Sequence, residues 1–414
     1  MKKIAIVVQR YGLEVNGGAE YHCRILAEKL NPLFDLEIIT SCAQDYTTWR
    51  NEYQPGVSSV NGVKVRRFEV AQERNKKKTQ SIERRLRKKT FFHKSLRLFG
   101  ILSFVEALFN LNDNLEELGN EWAKQQGPYT PALIDFLTIS KGGYDGIIFF
   151  TYLYYPTFYG LKAASERSIL IPTAHDEPPI YFPNFKTFFK LPKAILYNTK
   201  AEQHFVNQFF HNEGIYSDVV GVGIDEPVYY ARPNVVPKTD PYIIYIGRID
   251  PAKGCDILFE YFIEYKKTDT SNLKLVLVGQ PFMEIPTHND ILPQGFVSEE
   301  LKGGLLQYAK ALIIPSFYES LSLVTLESMM AGIPVIANDF SEVLRDHIEQ
   351  SGGGYLFSDG QTFKKALDRL TSPATDFALL KSNAKKYVVK NYNWDVVIDK
   401  VRKAVDYVSS ETSR

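Results

Sequence analysis

The stretch Ser316-Phe-Tyr-Glu-Ser-Leu-Ser-Leu-Val-Thr-Leu-Glu-Ser-Met-Met-Ala-Gly-Ile-Pro-Val-Ile-Ala337 decides how the second half of the chain folds. A buried strand, Ala311–Pro315, runs into it. Ser320 and Ser322 are both candidate N-caps of a helix, Gly332 stands where that helix should stop, and Pro334 opens an apolar run that reads as the next strand. Glu319 and Glu327 lie eight positions apart around the helix start. Were every intervening residue helical, they would be separated by roughly 12 Å along the axis and about 80° around it. One ligand longer than a single sugar ring would then touch both. The free N–H groups of the first helical turn lie between them and suit an anion. Carboxylates flanking an anion site are consistent with a ligand that carries hydroxyls as well as phosphates.

Working outward, a β-α alternation starts at Tyr242–Ile246 and continues through a helix at 254–267, a strand at Lys274–Val278, a turn into a short strand at Ile291–Phe296, and a helix at Glu299–Ala309. An earlier alternation occupies the first half, with strands at Ile4–Val8, Leu36–Thr40, Val63–Phe68, Gly146–Phe150, Ile169–Thr173, Ala194–Asn198 and Val219–Val222. Between them, residues 226–241 hold four prolines and no periodicity, and read as a linker. The fold class expected is α/β: two Rossmann-like domains facing each other across a deep cleft, with ligands at the carboxyl ends of the strands. The domain boundaries are 1–225, with a basic insertion at about 72–130, the linker 226–241, and 242–393. A last helix, 394–414, packs back on the first domain.

Composition agrees with two or three domains: 414 residues, 44% apolar, net charge +1. Three separated cysteines without a CxxC or Cys/His spacing point to a reducing cytoplasm, and no metal site is expected. The start Met1-Lys-Lys-Ile-Ala-Ile-Val-Val8 imitates a signal peptide, but its apolar run breaks at Gln9-Arg10 and reads as a buried strand. No run is long enough to cross a bilayer.

Chemistry gathers after strands. Gly247-Arg248-Ile-Asp-Pro-Ala-Lys253-Gly254 follows the first strand of the second half. Gly247 lets the backbone approach a ligand, and Arg248 and Lys253 together offset a diphosphate without a metal. A surface loop with two solvated cations is the alternative, weakened by the two glutamates downstream. Gly17 and Gly18, after the first strand, free backbone amides to face a diphosphate or sugar; this is not GxGxxG, so a dinucleotide fold is disfavoured. His175, in His175-Asp-Glu-Pro-Pro179, is read as a residue of the sugar pocket, against the alternative of a structural hydrogen-bonder. Asp176 and Glu177 either assist an acceptor or cap the next segment.

These motifs together resemble the retaining GT-B glycosyltransferases of family GT4, the glycosyl transferases group 1, over nearly the whole chain. The resemblance rests on Gly17-Gly18, Gly247-Arg248…Lys253-Gly254, Gly295-Phe296-Val297 and Glu319-x7-Glu327. It implies that a nucleoside-diphosphate sugar is the donor, that Arg248 and Lys253 hold its diphosphate, and that Glu327 binds the ribose. Glu319 binds the donor sugar, the Val297 backbone lies beside the base, and His175 lines the sugar pocket. The Ser320, Leu321, Ser322, Leu323 and Val324 segment meets the phosphate. No divalent metal or cofactor is implied, and the acceptor implied is a glycan or lipid-linked molecule of bacterial cell-surface polysaccharide or lipopolysaccharide synthesis. An epimerase or phosphorylase on the same fold, or a non-catalytic sugar-nucleotide or polyanion binder, are the competing readings. Cys255 has no assignable role.

From Arg74 to Arg97 stand eleven Lys/Arg against one acid, Glu83. Interleaved Leu86, Phe91, Phe92, Leu96, Leu98, Phe99, Ile101 and Leu102 suit a helix lying on an anionic membrane through 74–102. A solvated basic helix is the alternative, and no nucleic-acid recognition motif accompanies the charge.

Overall fold

The computed structural model of the chain describes residues 1–15, 17–98, 111–269 and 271–411; within these, the side chains of 88–98, 111–114 and 411 lie outside the description. The chain forms two compact units, residues 1–222 with 395–414, and residues 223–394.

The first unit is built on eight strands, β1 (Lys3–Val7), β2 (Asp35–Ser41), β3 (Gly56–Val60), β4 (Val63–Phe68), β5 (Gly146–Phe150), β6 (Ser168–Ile171), β7 (Ala194–Tyr197) and β8 (Tyr216–Val219). Their order is β3-β4-β2-β1-β5-β6-β7-β8. Every pairing is parallel except β3 with β4. Ile147 to Phe150 are fully buried, since helices on both faces of a parallel sheet demand unbroken apolar strands. The exposed β3 joins β4 through Asn61-Gly62, both at positive φ. That is the turn chemistry a two-residue hairpin requires. The strand expected at Val219–Val222 is instead Tyr216–Val219, because the Val220 and Gly221 amides both turn onto the Tyr197 carbonyl.

The helix Trp394–Glu411 contributes Val397, Val401, Ala404, Val405 and Val408 to buried surface of this unit from Asp395 onward. Lys2 Nζ bonds Asp406 at 2.7 Å, and the Tyr407 ring stacks on Tyr216 at 4.6 Å.

The second unit holds β9 (Tyr242–Ile246), β10 (Lys274–Val278), β11 (Ile291–Gly295), β12 (Ala311–Ile314), β13 (Val335–Asn338) and β14 (Gly354–Phe357), ordered β11-β10-β9-β12-β13-β14. All pairs are parallel. Pro293 sits in β11, at the sheet edge where a missing N–H is tolerated. Residues 226–241 lie within this unit: Arg232 faces the Tyr242 and Tyr308 rings, and Tyr230 N donates to Gln307 Oε1 at 3.1 Å.

In each sheet the strand order reverses once, between β1 and β5 and between β9 and β12. Crevices at the carboxyl ends of such strands are where open α/β sheets bind ligands.

The basic helix spans Lys76–Leu98. Thr79, Ile82 and Leu86 recur on one face and are buried, the latter two in the core with Leu115 and Trp122, while Arg84, Arg85 and Arg87 are exposed. Leu86 is therefore a core residue and not part of a lipid-facing set: helical spacing puts it one turn beyond Ile82, on the inward face. Phe91, Phe92, Leu96 and Leu98 have side chains outside the description, and Phe99, Ile101 and Leu102 lie outside the described residues. Among the described residues no helix is long and apolar enough to cross a membrane.

Candidate functional site

In the second unit, the loops leaving β9 and β12 meet. Gly247 N donates to Val278 O at 2.9 Å, and a Cβ on Gly279 would stand 1.8 Å from the Gly247 carbonyl, so the exits of β9 and β10 lie backbone to backbone. Asp250 then turns the chain by accepting Lys253 N at 2.9 Å. Gly254, at φ +73°, ends the turn; a Cβ there would fall 2.4 Å from the Pro315 carbonyl at the end of β12. Only a glycine permits both that φ and that approach.

The consequence is a contact between side chains sixty-six residues apart: Lys253 Nζ bonds Glu319 Oε1 at 2.7 Å. Lys253 is 30% and Glu319 14% exposed, so the pair is open to a ligand on one side. Arg248 Nε lies 3.6 Å from Asp250 Oδ2 and its side chain is 44% exposed. Its carbonyl is held from beneath by Tyr245 Oη–H at 2.6 Å and approached by the Cys255 thiol at 3.9 Å. Burial raises both the Tyr245 phenol and the Cys255 thiol above their ordinary range, so each stays a proton donor. Cys255 thus has a place, as a buried prop for the Arg248 turn.

After β12, the Pro315 carbonyl accepts from Asn338 Nδ2 at 3.0 Å. The helix is Leu323–Met330, shorter than the sequence suggests, and Glu319 to Ser322 precede it as a turn. The spacing computed for a continuous helix across Glu319–Glu327 therefore does not apply. Neither Ser320 nor Ser322 caps the helix through its side chain: Ser322 is left-handed at φ +58°, and its Oγ bonds Thr325 Oγ1 at 2.9 Å. The Ser322 carbonyl takes the Thr325 and Leu326 amides. Among the described residues, no chain acceptor takes the amides of Ser322, Leu323 and Val324. Gly332, at φ +69°, follows the helix.

Beneath this turn lies His347, a residue that sequence reasoning missed. Its Nε2 is 2.8 Å from the Leu321 carbonyl and its Nδ1 is 3.0 Å from Tyr387 Oη. Burial pulls its pKa down to about 4, so the ring is neutral; Nε2–H donates to Leu321 and Nδ1 accepts from Tyr387. Glu327, in the helix, lies 3.9 Å from Lys302 Nζ; burial raises its carboxyl above the usual range, with Lys302 opposing. Val297 follows β11 in a loop behind Gly295, whose carbonyl accepts the Gly279 amide at 2.8 Å.

Gly17, Gly18 and His175 belong to the first unit. Gly17 precedes the helix Gly18–Leu30, and a Cβ on it would stand 2.2 Å from Glu20 Oε2. Glu20 is committed to a buried pair with Arg10, whose Nε and Nη2 donate at 2.9 and 2.5 Å. Two residues along, His22 is buried edge-on to Phe150, and burial lowers its pKa to about 4.

His175 follows β6, with Nε2 3.6 Å from Glu177 Oε2. Glu177 also accepts Tyr152 Oη–H at 2.8 Å, and Asp176 accepts Tyr181 Oη–H at 2.6 Å. The backbone before His175 is braced by Glu202, which accepts the Ala174 and Asn198 amides at 2.5 and 2.6 Å. Burial pushes the Glu202 carboxyl up to about 8, against the pull of those amides. Glu202 was legible as the fourth residue of Thr199-x-x-Glu202, a capping-box spacing; Thr199 Oγ1 accepts the Glu202 amide at 3.1 Å.

Residues 230–387 match the family model described as glycosyl transferases group 1. Among curated relatives, an uncharacterized glycosyltransferase of Methanocaldococcus jannaschii is 25% identical over 186 residues, covering 42% of this chain and 47% of that protein. A phosphatidyl-myo-inositol mannosyltransferase of Propionibacterium freudenreichii subsp. shermanii is 27% identical over 203 residues, covering 45% and 50%. The chain spans about half or less of the length of the curated relatives it matches. Among solved structures, HepE of Anabaena in complex with UDP-glucose superposes with a TM-score of 0.66 over 98% of this chain and 100% of that one, at 15% identity. At that identity the likeness is one of fold: two mostly parallel α/β sheets in the GT-B manner.

Proposed function

Because the chain belongs, through residues 230–387, to the glycosyl transferases group 1 family, we propose that it transfers a hexose, with retention, from a nucleoside-diphosphate sugar to a glycan or lipid-linked acceptor. The observation that carries this reading is the 2.7 Å contact of Lys253 with Glu319 across the strand-order reversal, beside Arg248 and a turn with open amides. Cations and amides converging on one place are suited to a diphosphate, and a carboxylate at the same place is suited to sugar hydroxyls.

In this mechanism Arg248, Lys253 and the 321–324 amides stabilise the charge that develops on the departing diphosphate. Lys253 turns from Glu319 toward phosphate, and Glu319 accepts from the sugar hydroxyls. Glu327 accepts from the ribose, and the Val297 backbone borders the base. In the first unit, Gly17, Gly18 and His175 serve the reacting sugar. The acceptor hydroxyl attacks from the face the diphosphate leaves, its proton passing to a leaving phosphate oxygen. The bond from the anomeric carbon to the diphosphate breaks as the new glycosidic bond forms, so no protein nucleophile is required.

UDP-glucose, bound by the structural neighbour HepE, is the first donor to test. The setting we propose is the cytoplasmic face of the membrane in cell-surface polysaccharide synthesis, with the basic segment 74–102 touching anionic lipid. Calorimetric titration with UDP-glucose, GDP-mannose and ADP-glucose is expected to show binding by one, with diphosphate released only when an acceptor is supplied. Failure of all three to bind would overturn the assignment, and conversion of the sugar without an acceptor would point to epimerisation.

A further inference from the structure

His347 has no role in the mechanism above, yet it bonds the backbone of the turn that carries the phosphate-facing amides. It comes from the helix Glu342–Ser351, twenty-six residues beyond Leu321 in sequence, and is 1% exposed. Its ring is used at both nitrogens. Nε2 meets the Leu321 carbonyl at 2.8 Å, Nδ1 meets Tyr387 Oη at 3.0 Å, and Tyr387 Oη lies 3.4 Å from Tyr392 Oη. Leu321 is itself 4% exposed, so water does not serve its carbonyl in place of the imidazole. The next residue, Ser322, is a non-glycine in the left-handed region, where a side chain stays only if its surroundings hold it. The other end of the segment is fixed by Asn338 on the Pro315 carbonyl. The turn bearing Glu319 and leading to the open amides is therefore tied from below at two points, and His347 is the tie adjacent to the left-handed residue.

We propose that His347 is a positioning residue for diphosphate binding: by donating Nε2–H to the Leu321 carbonyl it keeps Ser322 left-handed and the Ser322, Leu323 and Val324 amides presented to phosphate. Tyr387 completes the device by donating to Nδ1, which places the ring proton on Nε2. The inference rests on the donor-site reading above, and its test separates the two.

A glutamine at 347 places an amide N–H near the His Nε2 position, whereas an asparagine reaches only the Nδ1 position. His347→Gln, His347→Asn, His347→Phe and the unaltered chain are titrated with UDP, GDP and ADP and with the corresponding nucleosides, with circular dichroism recorded on each. The expected result is that H347N and H347F weaken the preferred diphosphate by about tenfold, as loss of one buried hydrogen bond predicts, with nucleoside affinity unmoved. H347Q should return to within about twofold of the unaltered chain, since it restores that one bond. Equal diphosphate affinity in all variants, or H347Q as weak as H347N, overturns the role of His347 while leaving the donor site standing. No diphosphate binding by the unaltered chain overturns the donor-site reading itself. Should H347F fail to fold, the comparison of H347Q with H347N decides on the same criterion.

Discussion

Lys253 is worth most at the residue scale because two separate facts converge on it. Asp250 fixes its backbone, and Glu319 fixes its ammonium group. The pair is partly exposed, so its contribution to stability is small, within about 1 kcal/mol. On the mechanism proposed above its contribution to turnover is of another order, since a cation aimed at a departing diphosphate acts where charge develops. Lys253→Ala is expected to lower kcat/KM by about 10²–10³-fold with little change in thermal midpoint. A variant with normal kcat/KM would remove Lys253 from the mechanism. Arginine should not rescue it fully, because a planar fork cannot reproduce a compact point charge against Glu319. Ser322 illustrates the opposite economy. Its left-handed backbone costs about 1–3 kcal/mol locally, and that cost is met by neighbours whose role is geometry rather than charge.

Among elements, the basic helix Lys76–Leu98 is the one with two faces of different fate. In its described part the inward face, through Ile82 and Leu86, is consumed by the core, and Arg84, Arg85 and Arg87 are the side chains it presents outward. Co-sedimentation is expected with anionic vesicles, weakening as salt rises, and not with neutral ones; equal, negligible binding to both would end that proposal. The parallel strands were legible because burial on both faces writes them as apolar runs, as in Gly146–Phe150 and Tyr242–Ile246. β3 escaped, its residues being exposed and serine-bearing, although Asn61-Gly62 carried the hairpin signal. In the site, Arg248, Lys253, Glu319 and Glu327 were visible as residues whose spacing follows strand ends. The helix start was not: two serines offered caps, and the turn before Leu323 is set by His347 and Asn338 from distant elements. Local sequence carries no record of such ties.

At the scale of the whole molecule, each unit keeps one deeply buried, neutral imidazole among the described residues, His22 in the first and His347 in the second. Burial holds both at about pKa 4, below the 6.5 of the free group. Between those values the unfolded chain binds protons that the folded chain refuses. The contribution of each ring to stability is therefore full above about pH 6.5 and declines as pH falls toward 4, by on the order of 3 kcal/mol per histidine, while the raised carboxyl of Glu202 works in the opposite direction over the same range. Unfolding followed by denaturant at pH 7 and pH 5 should show His22→Asn or His347→Gln losing less stability on acidification than the unaltered chain; the same pH difference in variants and unaltered chain would mean neither ring governs it. The two units also differ in how the chain supplies them. The first is made of residues 1–222 and 395–414, with the second lying between those segments in sequence. Val405 and Val408 of the returning helix approach Gly146 at the start of β5, and Lys400 Nζ donates to the Val219 carbonyl. During synthesis, then, the first sheet emerges from the ribosome with this flank bare, and the 172 residues 223–394 follow before its cover arrives. The second unit has all its strands in hand by Phe357 and is free to fold during that interval, so the unit that begins the chain is the last to be finished.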